Sequence, residues 1–344
     1  MPRSIGRYEI EGIEAEGGMG VVYVARDPRV KRRVAIKLLK KLFSQDASVR
    51  RRFEREAEAV AGLEHEAIVP VYDFGEHDGM LYIVMRYVSG GTLRDRIEKA
   101  ERLSLRQVSA TIDRMAEALS AAHEQGIIHR DIKPANILFD ERELPYLSDF
   151  GVAKAAETTE PISNSQGSMV LGTPQYLSPE QAMGQPVDGR SDVYSLGIVA
   201  FHALTGRPPF NAPNPIAMAM AHVNKPPPKI CDLAPELPQV TNGVFGRVLA
   251  KRPNARYQSP QLFARDLHDI ASGRWYLVKL SNRLGLAADE ADTRPEPVAP
   301  AVLSHPLAQH SPSPHPEHQP QTMPCSTSSD LDQTVVDLNA TDED

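Results

Sequence analysis

From Tyr8 to Ile13 the chain alternates apolar and polar residues, the period of a half-buried strand. A glycine-rich stretch, AEGGMG at Ala15–Gly20, then leads into VVYVARD, a second strand. RRVAIKLLK follows as a third. Ser48–Leu63 holds good helix formers, no proline and a glycine near its end, and predicts a helix. Val69–Gly75 and Leu81–Tyr87 predict two further strands, joined through the turn residues His77-Asp78-Gly79. After Ser89-Gly90-Gly91 the pattern turns helical. Thr92 with Asp95 and Ser104 with Gln107 have capping-box spacing. The second box opens a helix to about Gln125, whose Val108, Ile112, Met115, Ala116 and Leu119 recur at steps of three and four. A later apolar run, DGRSDVYSLGIVAFHALTG, predicts a buried helix.

Composition narrows the class. A chain of 344 residues, 41% hydrophobic, has room for one large or two ordinary domains. No apolar run reaches the ~18 residues of a membrane span, and the N-terminus lacks an apolar signal segment. Cys231 and Cys325 fit no metal spacing, so a reduced, cytoplasmic protein is expected. The net charge is −7. Residues 287–344 hold one arginine, no lysine and eleven Asp plus Glu, about −10, which leaves the body near +3. The acidity belongs to the tail and carries no argument for nucleic-acid binding by the body. That tail is rich in Pro, Ser, Thr and acid and reads as disordered. Its His305, His310, His315 and His318 lack the spacing of a metal site. Trp275–Leu286 is short and partly apolar, an extension able to dock as a last helix.

The chemistry gathers in His129–Asn136, HRDIKPAN, followed thirteen residues later by Asp149-Phe150-Gly151. Alone, an HRD triplet is as compatible with a solvated charged loop. Together these segments resemble the catalytic loop and the metal-binding DFG turn of protein kinases. Phosphoryl transfer needs a group to orient and deprotonate a hydroxyl, which suits Asp131. It needs a cation against the transferred phosphoryl, which suits Lys133. It needs hard oxygen ligands for metal, which Asn136 and Asp149 supply. These ligand types fit Mg²⁺ and equally Mn²⁺.

GGMGVVY, HRDIKPANIL, GTPQYLSPEQ and RSDVYSLG, in that order, are similar to the bacterial Hanks-type serine/threonine kinases of the PknB-like group, over about Arg7–Gly273. The resemblance implies an α+β, two-lobed protein kinase fold, with a β-rich lobe at about 7–86 and a helical lobe at about 87–273. It implies ATP as cofactor. Gly17, Gly18 and Gly20 would cover the phosphates, with Ile13, Val22 and Ala35 around the base. The family's first loop glycine is here Ala15. Lys37 would fix the α- and β-phosphates, positioned by a pair with Glu56. Met85 would stand at the back of the nucleotide site, with backbone groups of Arg86 and Val88 on adenine.

The same resemblance makes His129 a packing residue and Arg130 the partner of a phosphate on the Gly151–Thr173 loop, where Ser165, Ser168, Thr158 and Thr159 are candidate acceptors. Thr173 with Lys133 favours Ser/Thr over Tyr as acceptor. Asp192 would hold the catalytic-loop backbone, and Arg256 would pair with Glu180. The implied activity is transfer of the ATP γ-phosphoryl to Ser/Thr of proteins, the chain itself included. The alternative is a pseudokinase scaffold that binds nucleotide and partners without catalysis. Protein substrates are the expected partners. Related kinases pair through the small lobe, so a homodimer is a candidate. Thr334, in DLDQTVVDL, matches an FHA-domain docking site once phosphorylated, against the plainer reading of a solubilising tail.

Overall fold

Alternation along the first ninety residues becomes one antiparallel sheet. In the computed structural model, which describes residues 2–18, 20–40, 47–151 and 174–278, six strands run in the order β1-β2-β3-β4-β6-β5. They are β1 (Ser4–Ile5), β2 (Tyr8–Glu16), β3 (Gly20–Asp27), β4 (Arg32–Leu39), β5 (Val71–His77) and β6 (Met80–Arg86). Register assigns each face a task. Val22 pairs with Lys37 and Lys37 with Ile83, while Ala35 pairs with Met85. Residues two apart share a face, so Val22, Ala35, Lys37, Ile83 and Met85 line one side of the sheet. The opposite side carries Tyr23, Ala25, Val34, Ile36, Leu38, Tyr82 and Val84, closed by Ile5 and Tyr8 as a separate small core.

The predicted helix forms as α1 (Ala47–Ala61). Its Phe53, fully buried, meets Phe74 of β5 edge-on at 6.4 Å, and Arg50 pairs with Glu76.

Beyond β6 the chain is helical. α2 (Leu93–Ala100) and α3 (Leu105–Glu124) both start in the capping boxes expected from Thr92/Asp95 and Ser104/Gln107. A short hairpin follows, β7 (Ile137–Phe139) with β8 (Pro145–Leu147). Then come α4 (Pro179–Ala182), α5 (Gly189–Thr205), α6 (Pro215–Asn224), α7 (Thr241–Val248) and α8 (Pro260–Ala271). α5 is apolar nearly all round and buried along its length, as a central helix must be. It stops at Gly206, φ 75°, where an added Cβ would lie 2.3 Å from the Glu101 carbonyl. Residues 275–278 are helical, with Val278 buried and Trp275, Tyr276 and Leu277 exposed. The remainder of the expected extension, and the tail, lie outside the described residues. The first compact unit of the chain is Met1–Asp292. Among the described residues no helix is long and apolar enough to cross a membrane.

Candidate active site

The β7–β8 hairpin sets the site's geometry. Ile137 pairs with Leu147, and the Ser148 N–H and hydroxyl both donate to the Asn136 carbonyl, at 2.9 and 3.0 Å. Two segments thirteen residues apart are thereby locked side by side, with Asn136 and Asp149 together at the open end of the hairpin.

Asp131 stands beside them. Its Oδ2 accepts from Lys133 Nζ at 2.6 Å and from Asn136 Nδ2 at 3.1 Å. Asn136 Nδ2 also donates to the Asp131 carbonyl at 2.8 Å. Both amide hydrogens of Asn136 are thus directed at Asp131, which turns its side-chain oxygen away as a free acceptor. Across the cleft Lys37 Nζ meets Asp149 Oδ1 at 3.0 Å, which leaves Oδ2 of that carboxylate as a second hard oxygen. Two oxygen donors joined by a rigid hairpin suit a divalent hard cation completed by water and phosphate oxygens.

Two residues here hold left-handed backbone, Arg130 at φ 64° and Asp149 at φ 58°. Such conformations cost non-glycine residues about 1–3 kcal/mol each and persist where the surroundings impose them. For Arg130 those surroundings are visible. Its N–H donates to Asp192 Oδ1 at 2.9 Å, and its carbonyl accepts from Gln181 Nε2 at 2.8 Å. Asp192, 1% exposed, also accepts from the His129 N–H at 2.8 Å. A third contact on Asp192 was not legible in the sequence: His123 Nε2, at 2.8 Å. It closes over 69 residues from the end of α3, and no local pattern announces it.

His129 does more than pack. Its ring lies 4.6 Å from that of Phe150. Nε2 donates to the Ser148 carbonyl at 2.9 Å, and Nδ1 accepts from the Asp131 N–H at 3.2 Å. Complete burial lowers its pKa; the neutral ring can then serve as donor on one side and acceptor on the other.

The expected pair of Lys37 with Glu56 is not formed. Lys37 takes Asp149 instead. Glu56, half-buried on α1, has its carboxyl raised by burial, opposed by the charges of Arg130, Arg55 and Arg52. Its place on α1 carries it toward arginines and away from Lys37. A cavity of about 30 Å³ beside Lys37 is lined by Val60, Met85, Asp149 and Phe150, among others.

The remaining residues expected at the nucleotide fall on or near the sheet face that carries Lys37. Val22, Ala35 and Met85 lie on the sheet face shared with Lys37. Ile13 is 47% exposed at its rim. Ala15 pairs with Val22, its side chain exposed. The Gly17 N–H donates to the Gly20 carbonyl at 2.9 Å, closing the turn that holds Gly18. Gly20 has no room for a side chain, since a Cβ would sit 2.1 Å from the Leu38 carbonyl. Arg86 N–H is already bound to the Pro70 carbonyl at 3.0 Å, so Arg86 offers adenine only its carbonyl; Val88 N–H has no backbone partner among the described residues. Thr158, Thr159, Ser165, Ser168, Thr173 and Thr334 lie outside the described residues.

Below the site, Arg256 is 1% exposed, with every guanidinium N–H in use. Two go to Glu180 at 2.8 and 2.7 Å, and three to the carbonyls of Ala250, Arg190 and Lys251. Burial alone would raise the Glu180 pKa, but the bonds from Arg256 and Ser191 hold it below the ordinary value. Ser178 caps α4 by accepting from the Gln181 N–H.

Comparison with known proteins agrees with this geometry. The protein kinase domain matches residues 8–267. The chain is 44% identical over 276 residues to the serine/threonine-protein kinase PknB of Mycolicibacterium smegmatis, covering 78% of this chain and 43% of that protein. It is 43% identical over 295 residues to PknF of Mycobacterium tuberculosis, covering 83% and 58%. The chain thus spans about half the length of these relatives. Among solved structures, the kinase domain of M. tuberculosis PknI aligns with a TM-score of 0.63 at 32% identity, over 78% of this chain and 97% of that one. The chain belongs to the protein kinase domain family, among the bacterial Hanks-type serine/threonine kinases.

Proposed function

We propose that this chain transfers the γ-phosphoryl of ATP to serine and threonine hydroxyls of proteins, its own loop at 152–173 among them. The observation that carries the reading is Asp131 Oδ2, held by Lys133 and Asn136 within one hydrogen-bonded cluster, with the Lys37–Asp149 pair tied to the same hairpin end through Ser148. Asp131 orients the acceptor hydroxyl and takes its proton. Lys133 stands 2.6 Å from that carboxylate, where it neutralises charge that grows on the transferred group. Lys37 binds the α- and β-phosphates once it leaves Asp149. Asn136 and Asp149 would hold Mg²⁺, or Mn²⁺, which supplies charge neutralisation at the phosphates.

The pair expected between Glu56 and Lys37 belongs to a second arrangement of α1. In that arrangement Arg130 exchanges Glu56 for a loop phosphate on Ser165, Ser168, Thr158 or Thr159. The tail's Thr334 is a candidate FHA-domain ligand, and pairing of small lobes a candidate means of phosphorylation between copies. Ala15 is the one departure from the family's loop, and its exposed side chain leaves the cleft open, so nothing here favours a non-catalytic scaffold.

The test is autophosphorylation: purified chain with Mg²⁺ and ATP, read by phosphosite mass spectrometry, beside an Asp131→Asn control. Phosphate on residues 152–173 in the wild type alone is expected. Absence of phosphate with either metal, while ATP still binds, overturns the reading.

A further inference from the structure

Arg86 ends β6 and is the residue that offers adenine its carbonyl. Its backbone is held within the first lobe, where it pairs with Val34 of β4 and its N–H donates to the Pro70 carbonyl. Its side chain reaches the other way, into the helical lobe. There the guanidinium lies over the ring of Tyr146 in β8, 4.9 Å from the centroid. The strand that ends at the nucleotide thus touches the hairpin that leads from Asn136 to Asp149.

Tyr146 is itself fixed. It is 7% exposed, and its hydroxyl donates to Asp140 Oδ2 at 3.2 Å. Burial would raise the Asp140 pKa, but the Leu144 and Arg142 N–H groups, the Tyr146 hydroxyl and the Arg86 charge together hold it below the ordinary value. A second guanidinium, from Arg114 of α3, lies 5.5 Å from the same ring. Arg114 donates to the carbonyls of Pro145 and Glu66 at 2.9 and 2.7 Å and to the Glu66 carboxylate at 2.9 Å. The main chain closes around them: the Leu147 N–H donates to the Ala67 carbonyl at 2.8 Å, and the Val69 N–H to the Leu147 carbonyl at 2.9 Å. The ring is a fixed plate, and the Arg86 guanidinium rests on it by cation–π attraction.

With its N–H and its guanidinium both held, Arg86 has little freedom to turn the peptide plane that carries its carbonyl. The direction of that carbonyl matters to the base. Adenine presents its 6-amino group as a donor, whereas a purine with oxygen at that position presents an acceptor. We propose that Tyr146 is a positioning residue for adenine, acting through the Arg86 side chain to aim the Arg86 carbonyl at the 6-amino group. This rests on the kinase reading, which puts a nucleotide in the cleft. Lys37 and the Gly17–Gly20 turn, which would hold the phosphates, lie outside this stack.

The experiment is titration of the full-length chain with Mg²⁺-ATP and with Mg²⁺-inosine triphosphate, which carries oxygen in place of the 6-amino group. Tyr146→Leu removes the ring. It is expected to raise Kd for ATP about fivefold, the worth of one partly desolvated cation–π contact, and to leave Kd for inosine triphosphate within about twofold of the wild type. Arg86→Met keeps the stem, removes the charge and should do the same, with the double variant no weaker than either. Tyr146→Phe keeps the ring and should bind ATP as the wild type does. Should Tyr146→Leu fail to fold, Arg86→Met and Tyr146→Phe still decide the matter.

A wild-type Kd for ATP in both Tyr146→Leu and Arg86→Met overturns the proposal. So does a loss shared equally by the two nucleotides, or a Tyr146→Phe chain as weak as Tyr146→Leu. In each of those cases a wild type that phosphorylates itself leaves the kinase reading standing. A wild type that neither binds ATP nor transfers its phosphoryl overturns both.

Discussion

Asp131 takes hydrogen bonds from an ammonium and an amide on one oxygen, which holds it aimed. Asp131→Asn removes the base and keeps the shape. Transfer should fall about 10²–10⁴-fold while ATP binding persists, measured by turnover and by nucleotide titration. Ala15 gives a contrasting prediction at the same scale. Its side chain is exposed and its partner Val22 is across the strand, so Ala15→Gly should change KM for ATP by less than about threefold, a shift worth under 1 kcal/mol. The clustering of Asp131, Lys133 and Asn136 was legible in the sequence because phosphoryl transfer requires particular groups at particular spacings along one segment. The partner of Glu56 was not. Which cation a side chain meets depends on how far a helix stands from the sheet, and no residue identity on α1 encodes that distance. His123 was missed for a related reason: it acts across a fold contact 69 residues long.

Among the elements, five strands of the first lobe were readable to within three residues, while β1 (Ser4–Ile5), only two residues long, was missed. The two capping boxes were correct because they are chemically local. α4 was hidden. It is only four residues long, and what holds it is the Ser178 cap together with the Glu180–Arg256 pair. Arg256→Ala would strand Glu180 in the interior and orphan three backbone carbonyls. A loss of about 3–5 kcal/mol in denaturant unfolding is expected. Ser178→Ala should cost about 1 kcal/mol by the same measurement, since the helix it starts has few other bonds.

For the whole molecule, stability should depend on acidity through His222. This ring is fully buried on α6, its Nδ1 3.1 Å from the Tyr194 hydroxyl. Burial, reinforced by Lys251, lowers its pKa from 6.5 to about 4. The folded chain therefore refuses a proton that the unfolded chain accepts between those values. Stability is complete above pH 6.5 and falls as pH drops toward 4, by roughly 3 kcal/mol from this group. Unfolding of wild type and His222→Gln, compared at pH 7 and pH 4.5, should show a shallower slope in the variant, since His129, His202 and Glu180, whose pKa values are also lowered in the fold, remain. Ligand binding gives a second global readout. Mg²⁺-ATP at a hundredfold excess over Kd should raise Tm by about 5 °C. Asp149→Asn should lose the part of that rise that EDTA abolishes.

The Lys37–Asp149 contact also bears on how such experiments are controlled. Replacing Lys37 by methionine is an obvious way to disable the nucleotide site. Here that lysine is the counter-charge of the carboxylate proposed as a metal ligand. Deleting it leaves Asp149 with its full negative charge and one more free oxygen, so the disabled chain should take up divalent cation more tightly than the wild type in the absence of nucleotide. A Lys37→Met protein is then silent in transfer but altered in metal occupancy and in any melting curve taken with Mg²⁺. Asp131→Asn, which leaves both members of that pair in place, is the blank against which the other variants are best compared.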